Sequence, residues 1–243
     1  MKLHKQLTLN GEPLSLVSED VRLFLFSPGT AAFNVNHQAV INGGIVQYAM
    51  GYDLSKLDVV FTGIVETCFA IDKKQQRMFC RELTKTVDRI LPLALRNCTL
   101  KSVLAEISKE TALKFVTPDK DYARTPAPVF YSVGSGYHVM DALARTFQIP
   151  KMIWQQQGDG KVFVGSWDDS FFSGKPVDVP VELRSKSGVS NSATLAAVTK
   201  FRPGVVLASG EVITNVHFSD VHMQIDWDKN PWGTRWKIKS TVS

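Results

Sequence analysis

The sequence predicts an α+β fold, mainly β, with two antiparallel β-barrel-like modules flanking a small α/β domain. Three observations carry that prediction. Short apolar alternations separated by turn signals fill roughly the first 95 residues and return after residue 169. The apolar period switches from two to a helical spacing near Leu100. The helical stretch also contains two helix–strand units of similar pattern. The expected organisation is a β-barrel-like module over 1–95, a small α/β domain over 96–168, and a C-terminal β module over 169–243 that is free to pack with the first.

The elements follow in chain order. Leu7 and Leu9 precede Asn10-Gly11, and Leu14 and Leu16 follow it, the pattern of a two-residue hairpin. A separate strand is expected over 21–26, stopped by Ser27-Pro28-Gly29, with further strands over 35–40 and 45–50 around Asn42-Gly43-Gly44. Residues 59–71 and 77–87 read as a hairpin centred near Lys74, a register that sets Cys68 directly opposite Cys80. From Thr99, a good N-cap residue, Leu100, Val103, Leu104 and Ile107 mark one helix face. A short strand over 113–116 ends at Pro118, and another at Val129-Phe130-Tyr131 leads to Ser135-Gly136. A second helix then carries Val139, Met140, Leu143, Ala144 and Phe147, and breaks before Pro150. The two units are offset by 36 residues, so that Val103 matches Val139, Leu104 Met140, Ile107 Leu143 and Leu113 Ile149. Two copies are too few for a solenoid, and a hairpin from Trp154 through Gly158-Asp159-Gly160 to Val164 closes the domain. Beyond it, 176–183 alternates, 185–193 is polar and reads as loop, and strands are expected over 205–207, 211–218, 222–227 and 236–238.

Composition restricts the function. The chain has 243 residues, 44% of them hydrophobic and 21% charged, which suits a packed globular protein. No apolar run approaches the length of about eighteen residues that a membrane helix needs. Asn10, Gly11, Glu12 and Pro13 interrupt any signal-like stretch, so synthesis in the cytoplasm is expected. The three cysteines, Cys68, Cys80 and Cys98, include no Cys-x-x-Cys pair and read as reduced core residues. The net charge of +5 is spread along the chain rather than massed with aromatics, which argues against a nucleic-acid stacking platform.

No catalytic constellation is apparent. Gly134-Ser135-Gly136 lacks the flanking pattern of a nucleophile elbow, and Ser135 reads as a helix cap. His217, Asp220, His222 and Asp226 lie across an expected hairpin without a third strong metal ligand, and read as a polar sheet face. Asp168-Asp169 are adjacent and so point to opposite faces of a strand, unsuited to act together as a glycosidase pair. Asp168 with Glu66 or Asp58 is the remaining pairing. Trp227, Trp232 and Trp236 enrich the C-terminal region. They are the candidate interface residues, with local packing of the last strands as the alternative.

Several stretches together resemble the baseplate hub family of long-tailed phages, including the contractile and transposable-phage hubs and the late-control-type proteins. They are the Phe61-x-Gly63-x-Val65 strand, the run 93–104 with its threonine-capped helix, and Thr111 to Phe115. The second unit, Tyr137 to Ala144 with Trp154, Gly158-Asp159-Gly160 and 162–165, and then Phe201-Arg202-Pro203-Gly204 with Gly210 and Val216-His217, extend it over 55–220. The resemblance implies a virion protein at the tail tip, a homotrimeric ring adapting a sixfold tail tube to a threefold tip or spike. It implies as partners the tail tube or distal tail protein, the spike or tail-tip protein and the tape-measure protein. DNA would pass through a lumen without sequence-specific contact, and no enzyme activity, cofactor, metal or membrane insertion is implied. The alternative readings are a small β-barrel module binding nucleic acid or carbohydrate, favoured by basic charge and tryptophans, and a cell-wall hydrolase using Asp168, Asp169 and Glu66.

Overall fold

The computed structural model describes residues 2–39, 41–179 and 191–233. Its centre is a barrel of six antiparallel strands: β1 (His4–Leu9), β2 (Glu12–Phe24), β3 (Thr30–Asn36), β4 (Ile45–Gly51), β5 (Asp58–Ala70) and β6 (Gln75–Glu82), in the order β1-β4-β5-β6-β3-β2. The Asn10-Gly11 hairpin closes it. Both residues have positive φ (52° and 89°), the twist a two-residue turn requires, and Leu7 then pairs with Leu14 and Leu9 with Glu12.

The segments expected as two strands around 14 and 21–26 form one strand, β2. The polar run Ser18-Glu19-Asp20 does not break it, because each side chain finds a partner. Ser18 accepts from Asn34 Nδ2 (2.8 Å), and the buried Glu19 lies 2.5 Å from Lys5 Nζ. Gly63 in β5 is required: a Cβ there would overlap the Arg81 carbonyl. The cysteine register differs from expectation. A bulge between Val65 and Thr67 shifts the β5–β6 pairing, so Cys68 opposes Met78 and Cys80 opposes Val65.

The helical middle matches the sequence reading closely. β7 (Leu93–Cys98), α1 (Leu100–Thr111) and β8 (Phe115–Val116) form one unit. After the single turn α2 (Asp121–Arg124), β9 (Ala127–Ser132), α3 (Gly136–Thr146) and β10 (Met152–Gln156) form the second. All eight residues matched at the 36-residue offset are buried in one cluster. β7 pairs with β9, while β8 and β10 flank the shared strand β11 (Val162–Ser166). Thr99 caps α1 in a reciprocal box with Ser102: the Ser102 N–H donates to Thr99 Oγ1 (3.3 Å), and the Thr99 N–H donates to Ser102 Oγ (2.9 Å). Ser135 occupies the N-cap position of α3, yet its hydroxyl makes no capping bond and sits 3.3 Å from His138 Nδ1.

The C-terminal strands extend the barrel sheet. β13 (Val212–Ser219) pairs with the far end of β2, β14 (His222–Asp228) pairs with β13, and β12 (Ser192–Ala196) pairs with β14. β2 thus carries β1 along its first residues and β13 along its last on the same edge. Phe218, Met223, Ile225 and Trp227 join Phe33, Tyr48 and Phe61 in one core. β12 falls partly where a loop was expected; its Ser-Ala-Thr-Leu-Ala sequence is weakly apolar, and pairing with β14 decides its conformation. The stretch 180–183 of the expected alternation and the strand expected at 236–238 lie outside the described residues.

Buried polar groups join the parts. On β10, Gln156 Nε2 donates to the Thr62 carbonyl of the barrel (2.6 Å) and its Oε1 accepts from Thr84 N–H (3.3 Å). Its neighbour Gln155 donates to the Pro203 carbonyl (3.0 Å), and Trp167 Nε1 to that of Gly204 (2.8 Å). Glu82, buried at the end of β6, accepts from Gly29 N–H (2.7 Å), and Arg202 donates to the carbonyl of Val60 (3.2 Å). Burial pushes the Glu82 carboxyl up to about 7, against the opposing pull of Gly29 N–H and Arg202.

Two outcomes are expected. Gln156→Leu keeps the volume but strands the Thr84 amide and removes the donor to the Thr62 carbonyl, costing about 2 kcal/mol in urea unfolding. The folded pKa of Glu82 lies above its unfolded value of 4.5, so its contribution is full below pH 4.5 and is lost as pH rises through about 7. Unfolding free energies measured at pH 5 and 8 should therefore fall by about 3 kcal/mol more in the parent than in Glu82→Gln.

Candidate functional site

The residues considered for chemistry do not converge. Asp168 and Asp169 lie on a 3-10 turn after β11, not on a strand. Asp168 pairs with Lys151 (2.9 Å), and Asp169 with Lys120 (2.9 Å) and the Tyr122 hydroxyl (2.9 Å). Glu66 is held on the barrel by Arg81 (3.3 Å) and Lys85 (3.7 Å), while Asp58 accepts from the Thr199 hydroxyl (2.6 Å). Each carboxylate already has its own partner on a different element. His217 sits 3.2 Å from Asp20 on the neighbouring strand and Asp220 lies 3.4 Å from Lys5, so the expected polar face is a set of cross-strand pairs. Among the described residues no three His, Cys, Asp or Glu side chains gather into a group that could hold a metal ion.

The tryptophans expected at an interface are placed differently. Trp227 and Trp232 are 8% and 7% exposed, and both are packed inside the chain. Trp232 packs at a tilt against Trp167, ring centroids 5.2 Å apart, and meets the edge of Phe26 at 6.2 Å, with Lys151 Nζ 5.9 Å from its ring. Their burial removes the exposed-surface argument for them; Trp236 lies outside the described residues.

Two other apolar surfaces are open to solvent. On β9 and just beyond it, Val129, Tyr131 and Val133 recur at every second residue and are 58%, 67% and 62% exposed. Ile90 is exposed too, and Ala94 and Arg96 of β7 lie opposite Tyr131 and Val129. The inward residue Phe130 is buried in the helix cluster, so this ribbon is apolar on both faces. The sequence Val-Phe-Tyr-x-Val carries that double-sided pattern, which by itself indicates a strand and not which face is open. The second surface lies at the end of the β5–β6 hairpin, where Phe69, Ile71 and Phe79 are exposed, the two phenylalanine rings are 5.8 Å apart, and Arg77 covers Phe79 at 5.2 Å. Monomers seldom expose apolar side chains in such groups unless a partner covers them.

Comparison with known proteins adds the following. No protein-family model matches the chain. Over 219 residues it is 32% identical to an uncharacterized 58.7 kDa protein in the lys 3′ region of Haemophilus phage HP1; this match covers 90% of the chain and 40% of the relative's length. The fold matches the 43 kDa tail protein of prophage MuSo2 from Shewanella oneidensis with a TM-score of 0.69 at 10% identity, covering 94% of this chain and 97% of that one. A tail protein from Neisseria meningitidis MC58 gives a TM-score of 0.66 at 9% identity, covering 93% and 96%. An E. coli component of the type VI secretion system, described as structurally similar to bacteriophage T4 tail proteins, gives 0.57 at 11% identity over 91% and 76%. Over more than nine-tenths of its length the chain thus has the fold of phage-type tail proteins.

Proposed function

We propose that the chain is a structural, non-enzymatic subunit of a phage-type tail, acting as a baseplate hub in which three copies close a ring between a sixfold tube and a threefold tip. The observation that carries this reading is the match over nearly the full length of both chains to a prophage tail protein, joined to 32% identity with a phage protein. The tube or distal tail protein, the spike and the tape-measure protein are the proposed neighbours, and the virion tail tip the proposed location.

The surfaces support a ring. A closed cyclic assembly other than a dimer is built from heterologous contacts, in which one patch meets a different patch on the next copy. The outer β7–β9 face and the β5–β6 hairpin end are two unlike apolar patches of this kind. The first is the outer face of a two-stranded ribbon and the second an exposed aromatic pair at a hairpin end. Their seating against each other is the contact proposed between copies.

Native mass measurement tests it. A trimer of about three times 27.0 kDa is expected, and Tyr131→Glu or Phe69→Glu, both at exposed positions, should each reduce it to single chains without changing the circular dichroism spectrum. A single-chain mass for the parent protein at its highest soluble concentration would overturn the ring.

A further inference from the structure

We infer that the groove between α1 and the edge of β8 is a docking site for an extended, acidic peptide segment of a partner polypeptide, received by β-strand addition. One wall is a helical stripe, Lys101, Leu104, Ala105 and Ser108; the other is Phe115, Val116 and Thr117. They enclose a cleft of about 420 Å³.

The backbone of β8 is half used. Its only strand partner among the described residues is β11, in a parallel register of Val162 with Phe115 and Phe163 with Val116. The Val162 N–H donates to the Lys114 carbonyl (2.8 Å). In such a ladder alternate residues bond to one neighbour, so Lys114 and Val116 turn their amide groups to β11, and Phe115 and Thr117 turn theirs to the groove. Neither the Phe115 N–H and carbonyl nor the Thr117 N–H has a hydrogen-bond partner among the described residues. Free edge groups beside an apolar helix stripe are the elements of peptide recognition by strand addition.

The internal repeat places a second cleft at the equivalent helix face. At the 36-residue offset Lys101 corresponds to Tyr137 and Ala105 to Asp141. In the second unit Tyr137 and Asp141, with Trp154, line a cleft whose opposite wall is the segment leaving β2, with Phe24, Phe26 and Pro28. The groove of the first unit has no barrel segment in its lining. Charge selects the occupant. Lys101 lines the groove without a salt bridge among the described residues, while the nearby Asp119 is already paired with Arg124. An acidic segment with apolar alternate residues complements both rim and floor. The inference does not depend on ring formation.

The probe is a capped heptapeptide alternating valine and glutamate, titrated into the isotopically labelled full chain, with the valine–lysine peptide as control. Amide shifts at Phe115, Val116 and Thr117 are expected, with at least tenfold tighter binding of the acidic peptide. Ala105→Trp, at an exposed helix position, should abolish the shifts, and Lys101→Glu should remove the preference for glutamate. Equal binding of both peptides, shifts that survive Ala105→Trp, or no response at residues 115–117 would overturn the proposal. So would self-association of the parent chain that Ala105→Trp prevents, because a second copy would then be the occupant.

Discussion

Two adjacent buried glutamines hold the molecule together. Neighbouring residues of a strand point to opposite faces, so Gln155 and Gln156 reach in two directions from one strand of the α/β part. Gln156 binds Thr62 of the barrel and Thr84 at its exit, and Gln155 binds Pro203 of the C-terminal segment. An amide carries both donor and acceptor, so it can satisfy main-chain groups that would otherwise be buried unpaired where three segments meet. Apolar residues in these places would bury similar area but leave those groups stranded. The relative placement of the barrel and the helical part therefore follows from these bonds as much as from packing.

β2 is the second organising element. Its length allows one edge to serve two purposes, closing the barrel through β1 and passing the sheet on through β13. Closure removes the free edges that make open sheets associate indiscriminately, and the extension then adds β13, β14 and β12 to the same core. Among the described residues, open apolar surface includes the outer β7–β9 face, the end of the β5–β6 hairpin and the groove beside β8.

The candidate surfaces were only partly legible. Tryptophan enrichment near the C-terminus fits an external partner or an internal one, and Trp232 packs inside the chain on Trp167 and Phe26. Val129, Tyr131 and Val133 looked like ordinary strand residues, since apolar side chains on both faces of a strand usually mean burial on both. Whether the second face is covered depends on segments distant in sequence. The groove at β8 was invisible for a related reason: a two-residue strand shows its free edge only once its one neighbour is known.

Local chemistry determined what local chemistry can. Asn10-Gly11 set its turn, Thr99 and Ser102 started a helix, and the matched apolar residues of the two units declared both helices and their common core. These signals act within one turn or one helix period. Tertiary structure alone decided that Ser18 to Asp20 stay in a strand, that a bulge at Val65 separates Cys68 from Cys80, and that the C-terminal strands extend the first sheet. Each of these depends on partners far along the chain, whose side chains and amides supply the compensating bonds.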